Sequence, residues 1–280
     1  MGKYLYCIIG CPQERTFDVA AIGDDQGRAI PLRGSPASGG SGMNNAVHAV
    51  HTVCYDGLAA VVSDSPAARY ETTRKHMMAH EMVLERVMQE FTLLPVRFGT
   101  VTESASPVED VRRLLRDRFQ EFGAMLEDME GRVELGLKAL WRDEKAVFAE
   151  ILAENADMRR LRDSLARKPP EAVRFDGIAL GRMVKEALER KRGQEAAQIL
   201  SPLRPLAEGM RENDTLVDRM VVNAAFLVHR GLVPDFDRAI SELDRARGGR
   251  MGFKYVGPTP PYNFVNIVVN WPELEPAGAG

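Results

Sequence analysis

At 280 residues the chain exceeds the roughly 100 to 200 residues of one ordinary domain, and its 45% hydrophobic and 28% charged content excludes a wholly disordered polypeptide. Its 37 basic and 40 acidic residues leave a net charge of −3, so there is no global positive field to gather phosphates and no nucleic-acid partner is expected. The apolar stretch Met220 to Val228, interrupted by Asn223, falls far short of the roughly 20 residues that cross a bilayer, and no membrane association is expected.

The opening MGKYLYCIIG has one lysine and a short apolar run, without a secretory h-region and small-residue cleavage site, so a cytoplasmic location is expected. Tyr4 to Ile9 reads as a first strand closed by Gly10 and Pro12, with Cys7 packed inside it. Cys7, Cys11 and Cys54 match no four-ligand zinc pattern and read as reduced thiols. A reduced helix is placed near Phe17 to Ile22, followed by a Gly/Ser-rich flexible insertion at 33–45. Ala46 to Cys54 and Leu58 to Ser63 form a hairpin around Asp56-Gly57. From Glu71 to Phe91 the period becomes helical, with Met77, Leu84, Val87 and Phe91 on one face. LPVRFG, Leu94 to Gly99, is a short strand, and Pro107 to Met129 is a further helix ended by Gly131.

The second half opens on a half-buried strand in which Val133, Leu135, Leu137, Ala139 and Trp141 alternate with Arg132, Glu134, Gly136 and Lys138. Helices over Asp143 to Ala166 and Glu171 to Leu200, separated by the KPP at Lys168 to Pro170, form a long hairpin. Ala207 to Asn213 and Val217 to His229 are strands, the latter apolar on both faces as a central strand should be. Pro234 starts a helix that Gly248 ends. Phe253 to Val256 and Phe264 to Val269 are strand-like pieces flanking YVGPTPPYNF. The order β, α, β, β, α, β is ferredoxin-like, and the first half approximates it. The expectation is an α+β protein of two ferredoxin-like or modified ferredoxin-like domains, at 1–130 and 131–270, with a loose tail at 271–280.

Several constellations carry candidate chemistry. His76 and His80 lie four apart on a helix beside Glu81, the spacing of a helical metal site, although the order HMMAHE is not HExxH. A metal-dependent small-molecule enzyme using these three residues is therefore the alternative reading. His48 and His51 fall on opposite faces of a strand and are not expected co-ligands. Arg112, Arg113, Arg116 and Arg118 are interleaved with Glu109, Asp110, Asp117 and Glu121, which reads as a solvated helix face. Arg97 stands inside the apolar PVRF and needs a carboxylate or carbonyl if buried, leaving an ion pair or a partner contact. Pro258, Pro260 and Pro261 stiffen the final stretch and display Tyr255, Tyr262 and Phe264, as a brace between strands, a docking surface, or both.

LPVRFGTV at Leu94 to Val101, VELGLK at Val133 to Lys138, NAAFLV at Asn223 to Val228 and YVGPTPPYNF, in this order, resemble the gas vesicle protein F/L family over nearly the whole chain. Thr259 departs from the bulkier apolar residue common between the prolines in that family. The resemblance implies a non-enzymatic accessory protein of gas vesicle formation, with no catalytic residues, no metal and no cofactor. Its implied partners are the principal, small apolar shell protein and other accessory gas vesicle proteins. The candidate partner-binding residues are Leu94, Pro95, Val96, Arg97, Phe98, Gly99, Tyr255, Pro258, Pro260, Pro261, Tyr262 and Phe264.

Overall fold

The computed structural model describes residues 1–23, 49–167 and 174–271; the insertion expected at 33–45, His48, the KPP stop and the tail beyond Trp271 fall outside them. The chain divides into two units, one comprising Met1–Val133 and the residues from Thr259 on, the other Glu134–Pro258. A continuous domain over 131–270 was expected from the sequence. The last segment instead returns to the first unit, because Val265 and Ile267 bury in one apolar cluster with Leu94 and Val96.

The first unit holds β1 (Gly2–Gly10), β2 (Thr16–Ala20), β3 (Ala49–Tyr55), β4 (Leu58–Ser65) and β5 (Leu93–Pro95), in the sheet order β2-β3-β4-β1-β5. Asp56 (φ 43°) and Gly57 (φ 89°) make the tight turn of the β3–β4 hairpin, where both central residues need positive φ. Strand β1 is buried on both faces, and its register against β4 shifts between Leu5 and Cys7. On one face Tyr4, Tyr6 and Ile9 cluster with Val83, Leu84 and Val87 of α1 (Arg74–Met88). On the other, Leu5 and Ile8 cluster with Val111 and Leu115 of α2 (Pro107–Asp117) and Phe122 of α3 (Phe119–Met129). The Thr73 hydroxyl caps α1 by accepting the His76 N–H at 3.2 Å.

Three expectations for this unit are corrected. Phe17 to Ile22 is not a helix: Thr16 to Ala20 is strand β2, in which Phe17 is buried between exposed Thr16 and Asp18 and the backbone pairs with β3. A five-residue segment with that alternation satisfies its backbone better in a sheet than as an isolated helical turn. The helix over Pro107 to Met129 breaks at Arg118 (φ −111°, ψ 24°), whose guanidinium lies over the Phe122 ring and pairs with Glu121. Phe264 to Val269 is not a full strand but carries one parallel bridge, Ile267 to Val96, since Phe264 and Val265 are held in a turn by the Pro261 carbonyl.

The second unit holds β6 (Arg132–Trp141), β7 (Gly209–Glu212), β8 (Met220–His229) and β9 (Met251–Thr259), in the order β7-β8-β6-β9. Strand β8 is internal and buried along almost its whole length, as its two apolar faces predict. Pro258 is tolerated in β9 because β9 is an edge. The residue before it, Gly257, has φ 137°, and a Cβ there would stand 2.7 Å from Leu135 Cδ2, so only glycine fits. The helices are α4 (Glu144–Glu154), α5 (Ala156–Leu165), α6 (Arg174–Leu200) and α7 (Val233–Arg247). One helix was expected over Asp143 to Ala166. It breaks at extended Asn155 (φ −118°, ψ 96°), whose side-chain amide donates to the Ile151 carbonyl at the end of α4.

A partly exposed cluster around buried Glu195 is cross-linked as ions in this second unit. Arg250 makes a two-pronged contact with Glu150 (2.6 and 2.8 Å) and reaches Glu195 at 2.7 Å, and Lys191 lies 3.1 Å from Glu150 and 2.8 Å from Glu154. Buried Trp141 donates its indole N–H to the second oxygen of Glu195 at 2.7 Å. The Arg250 bond, chiefly, holds the Glu150 carboxyl down at about 2.

Candidate functional site

LPVRFG begins as sheet and then leaves it. Leu94 pairs with Ile8 and the Val96 N–H donates to Tyr6, but Arg97 and Phe98 swing out before the Leu5 N–H donates to the Thr100 carbonyl. Gly99, at φ 85°, makes that return, in a conformation a side chain resists. The outward loop meets the last segment of the chain, where the Arg97 N–H reaches the Ile267 carbonyl at 3.4 Å. With α1 below, these pieces enclose a cleft of about 350 Å³ lined by Met77, His80, Glu81, Pro95, Val96, Arg97, Phe98, Tyr262, Val265, Asn266 and Ile267.

The cleft floor is polar but neutralised. The Gly99 N–H donates to the Tyr4 hydroxyl oxygen at 3.0 Å, which leaves the phenol hydrogen for His80 Nδ1, also at 3.0 Å. That assigns a neutral imidazole with its hydrogen on Nε2. Burial pushes the His80 imidazole down to about 4 and raises the Tyr4 phenol well above its ordinary range. Tyr262 donates its hydroxyl to Glu81 Oε2 at 2.6 Å, tying the last segment to α1. Burial raises the Glu81 carboxyl, with Glu85 adding to it and the Tyr262 bond opposing it; burial and then Glu81 raise Tyr262.

Each residue expected from the sequence now has a place. Pro95, Val96, Arg97, Phe98 and Tyr262 line the cleft. Leu94 is fully buried beneath it, Gly99 shapes the loop, and buried Pro260 and Pro261 accept the turn bonds that orient Tyr262, Phe264 and Val265. Phe264 is half-buried in that turn and does not line the cleft. Tyr255 and Pro258 belong to the second unit; Tyr255 stacks on Phe236 and donates to Asp237 at 2.7 Å.

An ion pair was the first expectation for Arg97. Its side chain is instead exposed on the cleft rim, and among the described residues its guanidinium has no carboxylate within 4.0 Å. The other basic run is a solvated face only in part: Arg112, Arg116 and Arg118 pair with exposed Glu109, Asp117 and Glu121, whereas half-buried Arg113 pairs at 2.7 Å with Asp110, which is buried. The three residues of the metal reading are committed separately, His76 to the Glu71 carbonyl at 2.9 Å, His80 to Tyr4 and Glu81 to Tyr262. Among the described residues no group of three His, Cys, Asp or Glu is placed to hold a metal ion. The sequence did not mark Met77, Val265, Asn266 or Ile267 as site residues; Val265 and Ile267 carried only a strand-like pattern, and Met77 only a helical one.

The fold and this cleft define a mixed helix-and-sheet protein of two antiparallel sheets that offers apolar contact area around one exposed cation. The model of the gas vesicle synthesis protein GvpL/GvpF family matches residues 2–266. Gas vesicle protein F of Nostoc sp. strain PCC 7120 is 27% identical over 220 residues, covering 78% of this chain and 88% of that protein. Gas vesicle protein F1 of Halobacterium salinarum is 30% identical over 221 residues, covering 78% and 82%. The crystal structure of the gas vesicle protein GvpF from Anabaena sp. PCC7120 superimposes with a TM-score of 0.75 at 26% identity, covering 96% of this chain and 99% of that one. The chain belongs to the gas vesicle synthesis protein GvpL/GvpF family.

Proposed function

We propose that the chain works without chemistry of its own, as an accessory component of gas vesicle assembly that binds the principal shell protein through the cleft of its first unit. The observation that carries this reading is the meeting of two stretches far apart in sequence, Pro95 to Phe98 and Tyr262 to Ile267, in one largely apolar cleft. A subunit that must present apolar surface to gas is an aggregation hazard before assembly, and a helper needs contact area to shield or seat it. Half-buried Phe98 and Tyr262 are suited to this, each contributing roughly 1 to 2 kcal/mol if a partner completes their burial.

The same reading places the chain in the cytoplasm and at the vesicle, with other accessory gas vesicle proteins as further partners. No helix among the described residues is long and apolar enough to cross a membrane. We read the second unit as ferredoxin-like, supported by its β7-β8-β6-β9 order, with α4 to α6 as a helical hairpin inserted at the first crossover, and the first unit as a modified version. The test is a pull-down with co-expressed shell protein, comparing wild type with folded Phe98→Ala and Tyr262→Ala variants. Retention by wild type and loss in both variants is expected; equal retention by all three would remove the cleft from the interface.

A further inference from the structure

We propose that the cleft selects a segment of the shell protein in which an acidic side chain stands beside apolar ones, and that Arg97 is the group that takes the carboxylate. This rests on the shell-binding reading above and deepens it. The other ionisable groups facing the cleft are already engaged, His80 by Tyr4 and Glu81 by Tyr262. Arg97 differs from both. Its backbone is held on two sides, the N–H by the Ile267 carbonyl and the carbonyl by the Thr100 hydroxyl at 2.7 Å, while its planar fork is exposed and has no acidic partner among the described residues.

An arginine whose root is fixed and whose donors are open is pre-organised for a two-pronged carboxylate contact. Arg250 shows in the same chain what such a fork does when an acid is within reach. The walls beside Arg97 are Val96, Phe98, Val265 and Ile267, so a partner carboxylate would bind next to apolar surface that excludes water and strengthens the contact. A volume of about 350 Å³ sits at the small end of the roughly 300 to 1,000 Å³ of ligand pockets, room for a short run of side chains. Charge and shape therefore ask for one acid flanked by apolar residues.

The test uses the full chain and labelled overlapping synthetic peptides covering the shell protein, each also made with its Asp and Glu replaced by Asn and Gln. Arg97→Ala should weaken the best peptide at least tenfold and Arg97→Glu more, with thermal melts unchanged. The neutralised peptide should lose a similar factor and show no further loss against Arg97→Ala, and raised salt should weaken only the wild-type pair. Equal binding by wild type and Arg97→Ala, with Phe98→Ala still impaired, overturns this proposal and leaves the shell-binding reading standing. Failure of the wild-type chain to bind any peptide or the intact shell protein overturns both. Tighter peptide binding by a Glu273→Gln, Glu275→Gln double variant would assign the cation to the chain's own acids and overturn the proposal as well.

Discussion

The cleft of the first unit and the ionic cluster of the second treat their polar groups in opposite ways. In the first, His80, Glu81 and Tyr262 line the cleft and Tyr4 lies buried beneath it, and burial pushes every one of them toward its neutral form. In the second, Glu150 and Arg250 are shifted toward their charged forms chiefly by the bond between them, and Lys191, which burial by itself would lower, is raised by Glu154 and Glu150 together at 2.8 and 3.1 Å. Desolvation dominates where no counter-ion is at hand, and pairing dominates where one is. A neutral cleft can accept apolar surface without first stripping ions of water, whereas the ionic cluster cross-links α4, α6 and the start of β9's approach and is suited to holding a unit together.

The largest expected effect separates the two units by pH. His80 falls from 6.5 in the unfolded chain to about 4 in the folded one, so between those values the unfolded state binds a proton that the folded state refuses. The His80 contribution is thus fully present above 6.5, declines as pH falls, and is gone below about 4, a loss on the order of 3 kcal/mol. Glu81, raised by burial, acts with the opposite sign just above its unfolded value of 4.5, stabilising as pH falls. Comparing wild type with His80→Gln isolates the histidine: the difference between their denaturant midpoints should shrink as pH drops from 7 to 4. A pH-independent difference would show that His80 titrates in the fold as it does in solution.

The counterpart in the second unit is Arg250→Met. It strands Glu150 and Glu195, although Lys191 still neutralises Glu150 in part and the site is partly exposed, so the cost should be about 2 kcal/mol. Glu150, depressed from 4.5 to about 2, stabilises above 4.5 and loses that contribution as pH falls toward about 2. The Arg250→Met penalty measured in urea should therefore fade only in that lower window, after the His80 contribution has already gone. Coincident windows would erase the contrast between the units.

How legible this was depends on range. Periodicity marked β6, α1 and α7, and apolar or β-branched runs bounded by turn residues marked β1, β4 and β8, because each is long enough for its pattern to show. It failed at β2, where five residues carry too few repeats, and at Arg118 and Asn155, where single residues leave helical geometry inside a continuing apolar pattern. LPVRFG and PPYNF were singled out by composition, but their meeting was not visible: it depends on the chain returning at Thr259 to a unit that it left at Val133. The exposure of Arg97 was hidden for the same reason, since a strand pattern cannot show that a loop turns outward at Gly99.

Tyr262→Phe tests that return directly and should cost about 1 kcal/mol, one hydrogen bond between partly buried groups. Its more telling readout is hydrogen exchange, which should rise in residues 262–267 and leave β8 unchanged. Uniform exchange across the first unit would show that the Tyr262–Glu81 bond is not what fastens this segment.

Arg97→Ala is the smallest stability effect and the sharpest contrast with Arg250. Both are arginines in or beside apolar surroundings, yet one is bound by two acids and the other is exposed with none among the described residues. Removing an exposed side chain with no pair to break should shift the melting free energy by less than about 0.5 kcal/mol. The backbone contacts of residue 97 survive the change, because its N–H and carbonyl, not its guanidinium, make them. A loss approaching that of Arg250→Met would mean that Arg97 holds the fold together, and a residue serving that purpose is not one held in reserve for a partner.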